Sequence, residues 1–201
     1  PYEQYIQMFD QDLNILGNDT GTPVDSNGED QKYSGLCVVD NNFFLAYSTL
    51  GQAFSYSIYL NKYNSVGESL WATPINIVEA GFGDYLVRAI IPNTSNNGVI
   101  VIYESASFMG IGLNMISISE DGEVITQSSL CDDCENPQFE SYAMGDNEFI
   151  VTYKISSSSL GSGVSAQIIS FNGDILVGDN GMVISDEIND QRSSDITYSS
   201  V

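Results

Sequence analysis

The sequence of 201 residues has no histidine, and its ionisable side chains are 27 acids against five bases. Carboxylates are therefore the groups that could do chemistry. Ser-His-Asp and Cys-His catalysis and His-ligated zinc are excluded. Carboxylates can hold calcium, or act in pairs as the acid and nucleophile of glycoside hydrolysis. Asp25, Asn27 and Asp30 place oxygen ligands around Gly28, as calcium loops do, and Asp10-Gln-Asp12-Leu-Asn14 repeats that spacing. Neither carries the distal glutamate of an EF-hand. Short polar residues also simply make turns. No acid pair is singled out for hydrolysis by spacing alone, so the expectation is that the chain is not an enzyme.

Three cysteines are present. Cys131-Asp-Asp-Cys134 admits a disulfide, a redox pair or half of a zinc site. The flanking aspartates would raise a redox thiol's pKa, and zinc needs a second pair, so the disulfide is favoured. Cys37 lies in the apolar run Leu36-Cys-Val-Val39 and reads as a buried small hydrophobe. Two N-glycosylation sequons occur, at Asn18 and Asn93. Trp71, Phe82, Tyr2 and Tyr5 fall near loops, where aromatics can stack on sugars, although most aromatics here should be core.

A net charge of -22 excludes nucleic acid and anionic membrane surfaces as partners. No apolar run is long enough to span a membrane as a helix. The chain starts at Pro1 without methionine and stops in an apparent strand, so it reads as a processed product or a piece of something longer.

The elements that carry these residues repeat. Tyr47, Tyr103 and Tyr153 end three similar apolar segments, at intervals of 56 and 50 residues. A second landmark, at Gln7, Asn61, Ile116 and Gln167, recurs at 54, 55 and 51. Asn, Asp and Gly turns punctuate each unit. Each full unit reads as four short strands: 34–40, 42–49, 55–64 and 68–78; then 85–91, 98–106, 112–119 and 123–130; then 138–144, 148–156, 162–170 and 174–184. Two strands near 2–10 and 13–17 precede them and one near 193–200 follows. The repeats are 1–33 (partial), 34–84, 85–137, 138–192 and 193–201 (partial), within one domain.

The second strand of each unit is apolar on both faces, as in Phe43, Leu45 and Tyr47 against Phe44 and Ala46. Both faces must therefore be covered. Four-stranded antiparallel sheets stacked radially do this, giving an all-β, β-propeller-like array of about four blades with the terminal blade incomplete. A series of β-sandwich repeats is the alternative. The acidic loops at 25–30, 79–84, 132–136 and 186–190 are equivalent and should share one face.

The segments Gly163-Val-Ser-Ala-Gln-Ile-Ile-Ser-Phe-Asn-Gly173 and Gly145-Asp-Asn-Glu-Phe-Ile-Val-Thr-Tyr153 resemble the tandem propeller-like repeats of large secreted and cell-surface proteins of bacteria and ciliates. Tyr153 stands where that pattern has tryptophan. The resemblance implies an extracellular repeat architecture and no catalytic constellation. The function expected is that of an extracellular structural or adhesive glycoprotein, self-associating into a homo-oligomer or filament. A calcium-dependent glycan- or protein-binding module is the first alternative, and a glycoside hydrolase-like propeller the second.

Overall fold

Strand alternation and turn chemistry shape the computed structural model, which describes residues 2–25, 29–51, 54–81, 83–107, 110–132, 140–144, 147–157, 161–178 and 181–185. Among them there are strands and turns and no helix. The first strands are short: β1 (Tyr5–Ile6), β2 (Met8–Phe9), β3 (Ile15–Leu16) and β4 (Thr22–Pro23). They form two small ladders, β1 with β4 and β2 with β3. Three four-stranded antiparallel sheets follow. The first is β5 (Gln31–Val39), β6 (Asn42–Leu50), β7 (Tyr56–Tyr63) and β8 (Ile75–Val78). The second is β9 (Asp84–Asn93), β10 (Gly98–Ser107), β11 (Gly110–Ile118) and β12 (Val124–Cys131). The third is β13 (Glu140–Met144), β14 (Glu148–Ser157), β15 (Gly161–Ser170) and β16 (Met182–Ser185). Within each sheet the spatial order is the sequence order, as expected of blades.

The two-faced second strands explain the stacking. Phe44 and Ala46 of β6 pack with Val99, Val101 and Tyr103 of β10 in one buried cluster. Ile100 and Ile102, on the other face of β10, pack with Phe149, Val151 and Tyr153 of β14. Phe43, Leu45 and Tyr47 meet Ile6 and Val24 of the initial hairpins. The second strands of the first two sheets thus bury both faces, and the architecture is propeller-like.

The turns joining third and fourth strands dock on the preceding unit. Gly122 (φ +90°) lies against Ile75 and Trp71, where a Cβ would come within 2.2 Å of Ile75 Cδ1. Gly173 (φ +91°) likewise meets Thr126 of β12. Only glycine combines that φ with so close an approach. Lys62 Nζ adds an ion pair to Glu120 at 2.8 Å across the first of these seams.

The fourth strands depart from the expected 68–78 and 174–184. In the first blade Tyr63 bridges Ser69, the chain swings out over 71–74, and pairing resumes when Ile75 meets Leu60. In the third, Ile169 bridges Ile175 before pairing resumes at Met182. The initial hairpins do the same: Met8 pairs Leu16 and Ile6 pairs Thr22, with 17–21 between. Only the second blade among these keeps a fourth strand broken by no more than bulges. The landmark side chain explains the difference. Gln167 Nε2 donates to the Gly178 carbonyl at 2.9 Å, Asn61 Oδ1 accepts from Ser69 Oγ at 3.2 Å, and Gln7 lies beside Gly21. At Gln167 and Asn61 the landmark amide thus supplies a hydrogen bond where the ladder is interrupted. Ile116, which has no polar atoms to offer, sits in the uninterrupted blade.

Candidate functional site

The excursion at 71–74 builds one wall of an open pocket of about 250 Å³. Thr22, Pro23, Val24 and Asp25 of the initial hairpins form the opposite wall, and Asn61, Tyr63 and Ser69 its floor and side. Trp71 is half-buried, edge-on to Phe44 with ring centroids 5.9 Å apart, so the packing that joins the blades also orients the indole. Tyr63 stacks on Phe43 at 5.0 Å, and its hydroxyl donates to the Val24 carbonyl. Asp25, Trp71 and the amide of Asn61, far apart in sequence, are thereby brought together.

Behind the pocket lies a tyrosine layer. Tyr47 stacks on Tyr59 at 6.0 Å. Burial, and then the Asp25 carboxylate, push the Tyr47 hydroxyl well above its ordinary pKa. Burial also raises Tyr59, followed by the charges of Glu29, Asp25 and Glu79. Glu29 and Asp25 belong to the first acidic loop and Glu79 to the second. These two loops therefore lie near one another, as equivalent loops of adjacent blades should.

The sequence candidates separate. The Asp10 carboxylate accepts from Asp12 N, Asn14 N and Asn14 Nδ2 at 2.8–2.9 Å, which closes the β2–β3 turn and lowers the Asp10 pKa. That loop is organised as a turn. Asp30 Oδ1 accepts from Tyr2 N at 2.8 Å and so anchors the start of the chain. Among the described residues no group of three His, Cys, Asp or Glu side chains is placed to hold a metal ion. Asn27, Phe82 and Cys134 lie outside the described residues. Cys131 is disulfide-bonded, and Cys37 is free and buried.

The two sequons differ. Asn18 is exposed in the first excursion, its Oδ1 accepting from Thr20 N and Oγ1. Asn93 is fully buried; Nδ2 donates to Ser117 Oγ and the Phe171 carbonyl, and Oδ1 accepts from Ser95 N and Oγ. An amide nitrogen so enclosed cannot carry a glycan in this fold, which corrects the expectation at Asn93. Tyr5 is exposed and donates to Glu3 Oε2.

Sequence reasoning missed one group altogether. Tyr33 has φ +52° in the bulge where β5 slips against β6 between Lys32 and Gly35. A bulky side chain in that conformation is an outlier that L-residues adopt at a cost. No residue type or spacing signals it.

No protein-family model and no curated protein matches the chain. Solved structures do. The chain is similar to the GH43B protein of the xyloglucan PUL of Bacteroides ovatus, with 14% identity over 73% of this chain and 28% of that one, at a TM-score of 0.45. It is also similar to an α-L-arabinofuranosidase from Podospora anserina solved with cellotriose, with 10% identity over 76% and 68% of the two chains and a TM-score of 0.31. A third likeness is the catalytic domain of the GH62 α-L-arabinofuranosidase of Coprinopsis cinerea, at 12% identity over 76% and 69% and a TM-score of 0.30. The chain thus spans 28% of the length of the first of these. These likenesses, to a GH43 protein and two α-L-arabinofuranosidases, run against the expectation that the chain is not an enzyme, which is withdrawn.

Proposed function

We propose that this chain is a carbohydrate-directed propeller of the glycoside hydrolase kind, and that the pocket at 22–25 and 71–74 receives a sugar ring. The observation that carries this is the pocket's lining. An oriented indole and a tyrosine supply apolar surface, while the Asp25 carboxylate, the Asn61 amide and the hydroxyls of Thr22 and Ser69 supply fixed polar groups. Hydrolysis needs two carboxyl groups roughly 5–10 Å apart across the scissile bond. Asp25 is the carboxyl group in the pocket, and Glu29 and Glu79 are the nearby acids from which a second would come.

A four-bladed ring is the arrangement this reading favours. The initial hairpins cover only the outer half of the first blade's free face, and Leu36 and Val38 on its inner half are exposed. Two further inner strands would cover them. An extracellular setting accords with the disulfide-bonded Cys131 and the exposed sequon at Asn18.

The test is calorimetric titration with neutral xylo-, arabino- and cello-oligosaccharides, alongside release of reducing ends. Trp71→Ala should weaken binding by about tenfold or more, the worth of one aromatic stacking contact. Asp25→Asn should retain binding and lose turnover. Absence of both binding and turnover across the panel would refute the reading.

A further inference from the structure

A second polar-aromatic cluster lies outside that pocket, where β5 runs beside β9. Tyr33 is 45% exposed, and its ring lies 5.7 Å from Arg88 Cζ and edge-on to Tyr56 at 6.3 Å. Lys32 Nζ stands 5.3 Å from the Tyr2 ring and 5.9 Å from the Tyr56 ring. Every part of this arrangement is held. Tyr2 is tied down by N–H donation to Asp30 and by accepting from Gln31 N. Tyr56 N donates to Asp84 Oδ1 at 3.2 Å. Arg88 donates from Nε and Nη2 to the buried Glu104 carboxylate.

The charges are unusual for this molecule. Only five bases occur against 27 acids, yet two of them meet here. Arg88 is neutralised by Glu104, whereas Lys32 has no carboxylate within ion-pair distance among the described residues. Its neighbours are ring faces and the Tyr56 hydroxyl, which with Asp30 holds its pKa above the ordinary lysine value. A cationic amine is thus held beside an exposed tyrosine whose backbone is strained to present it. Asp30 and Asp84, which hold Tyr2 and Tyr56, belong to the same cluster but make no ion pair with Lys32, so the ammonium keeps donors to offer a ligand.

We propose that Lys32, Tyr33 and Arg88 form a second saccharide site selective for an acidic sugar, with Tyr33 stacking on the ring and Lys32 pairing with a uronate carboxylate. The proposal rests on the carbohydrate reading above and adds the ligand's charge and a separate place for it.

Trigalacturonate and its carboxyl-reduced, neutral counterpart are the probes, titrated calorimetrically into the whole chain. Lys32→Met should weaken trigalacturonate binding by about tenfold, the worth of one charge-assisted hydrogen bond, and leave the neutral trisaccharide unchanged. Tyr33→Gly separates binding from folding. Glycine relieves the positive φ, so the variant should melt no lower than the parent while losing trigalacturonate by a similar factor. The proposal is overturned if the acid binds no better than the neutral sugar, or if Lys32→Met weakens both alike. It is overturned too if Trp71→Ala abolishes acid binding while Tyr33→Gly leaves it intact. In those cases neutral-sugar binding still supports the seam pocket; loss of all saccharide binding defeats both readings.

Discussion

Asn93 offers the sharpest test of how the blades are joined. Replacing it by alanine removes four hydrogen bonds at once. Two of them end on acceptors inside the protein, Ser117 Oγ in the same blade and the Phe171 carbonyl of the next. Ser117 and Phe171 are buried, so water cannot easily take the place of the lost donor. Each such loss costs about 1–1.5 kcal/mol. The two bonds to Ser95 lie near the surface and are worth about 0.5 kcal/mol each. The total is about 3 kcal/mol, which for a chain of this size lowers the melting temperature by roughly 6–12 °C. Circular dichroism melts of Asn93→Ala and the parent measure this directly. A double-mutant cycle with Ser117→Ala should return a coupling of about 0.5 kcal/mol or more, since both changes break the same bond. A fall of less than about 2 °C would refute the reasoning, because it would mean that the amide does not bridge the seam.

Three further outcomes follow from the same geometry. In a glycosylating host the chain should gain one N-glycan, lost in Thr20→Ala and kept in Ser95→Ala, as intact mass will show. Burial pushes the Cys37 thiol up to about 12, so a thiol reagent at pH 8 should modify it only after denaturation. The Lys62 ammonium holds the Glu120 carboxyl below its usual range. A lowered folded-state pKa stabilises above the unfolded value and is lost as pH falls through the folded one. The melting advantage of the parent over Glu120→Gln should therefore be present at neutral pH and vanish in acid; an advantage that persists in acid would contradict the ion pair.

Much of the fold was legible because β-sheet packing writes itself into alternation. Phe43, Leu45 and Tyr47 opposing Phe44 and Ala46 demanded cover on both sides, and the structure supplies it from two neighbours. The fourth strands were misjudged because Ile75–Val78 and Met182–Ser185 are strand-like, and nothing in their composition marks the detour before them. The site was legible only in pieces. Asp25 was read as a calcium ligand and Trp71 as a sugar platform, yet they line one pocket because β4 pairs back to β1 across the first excursion. Tyr33 was invisible, since backbone strain is a property of the register slip in β5 and not of the residue.

The amide that takes over where the ladder lapses has a consequence for how such a rim can change. At Gln167 the hydrogen bond runs from a side chain in the sheet interior to the exposed loop backbone at Gly178. Loop length on the outside is thereby uncoupled from strand pairing within. The excursion of the initial hairpins, 17–21, and the third blade's loop at 177–178 can then accept grafted sequence, whereas the outer strand opposite Ile116 can accept none without opening its sheet.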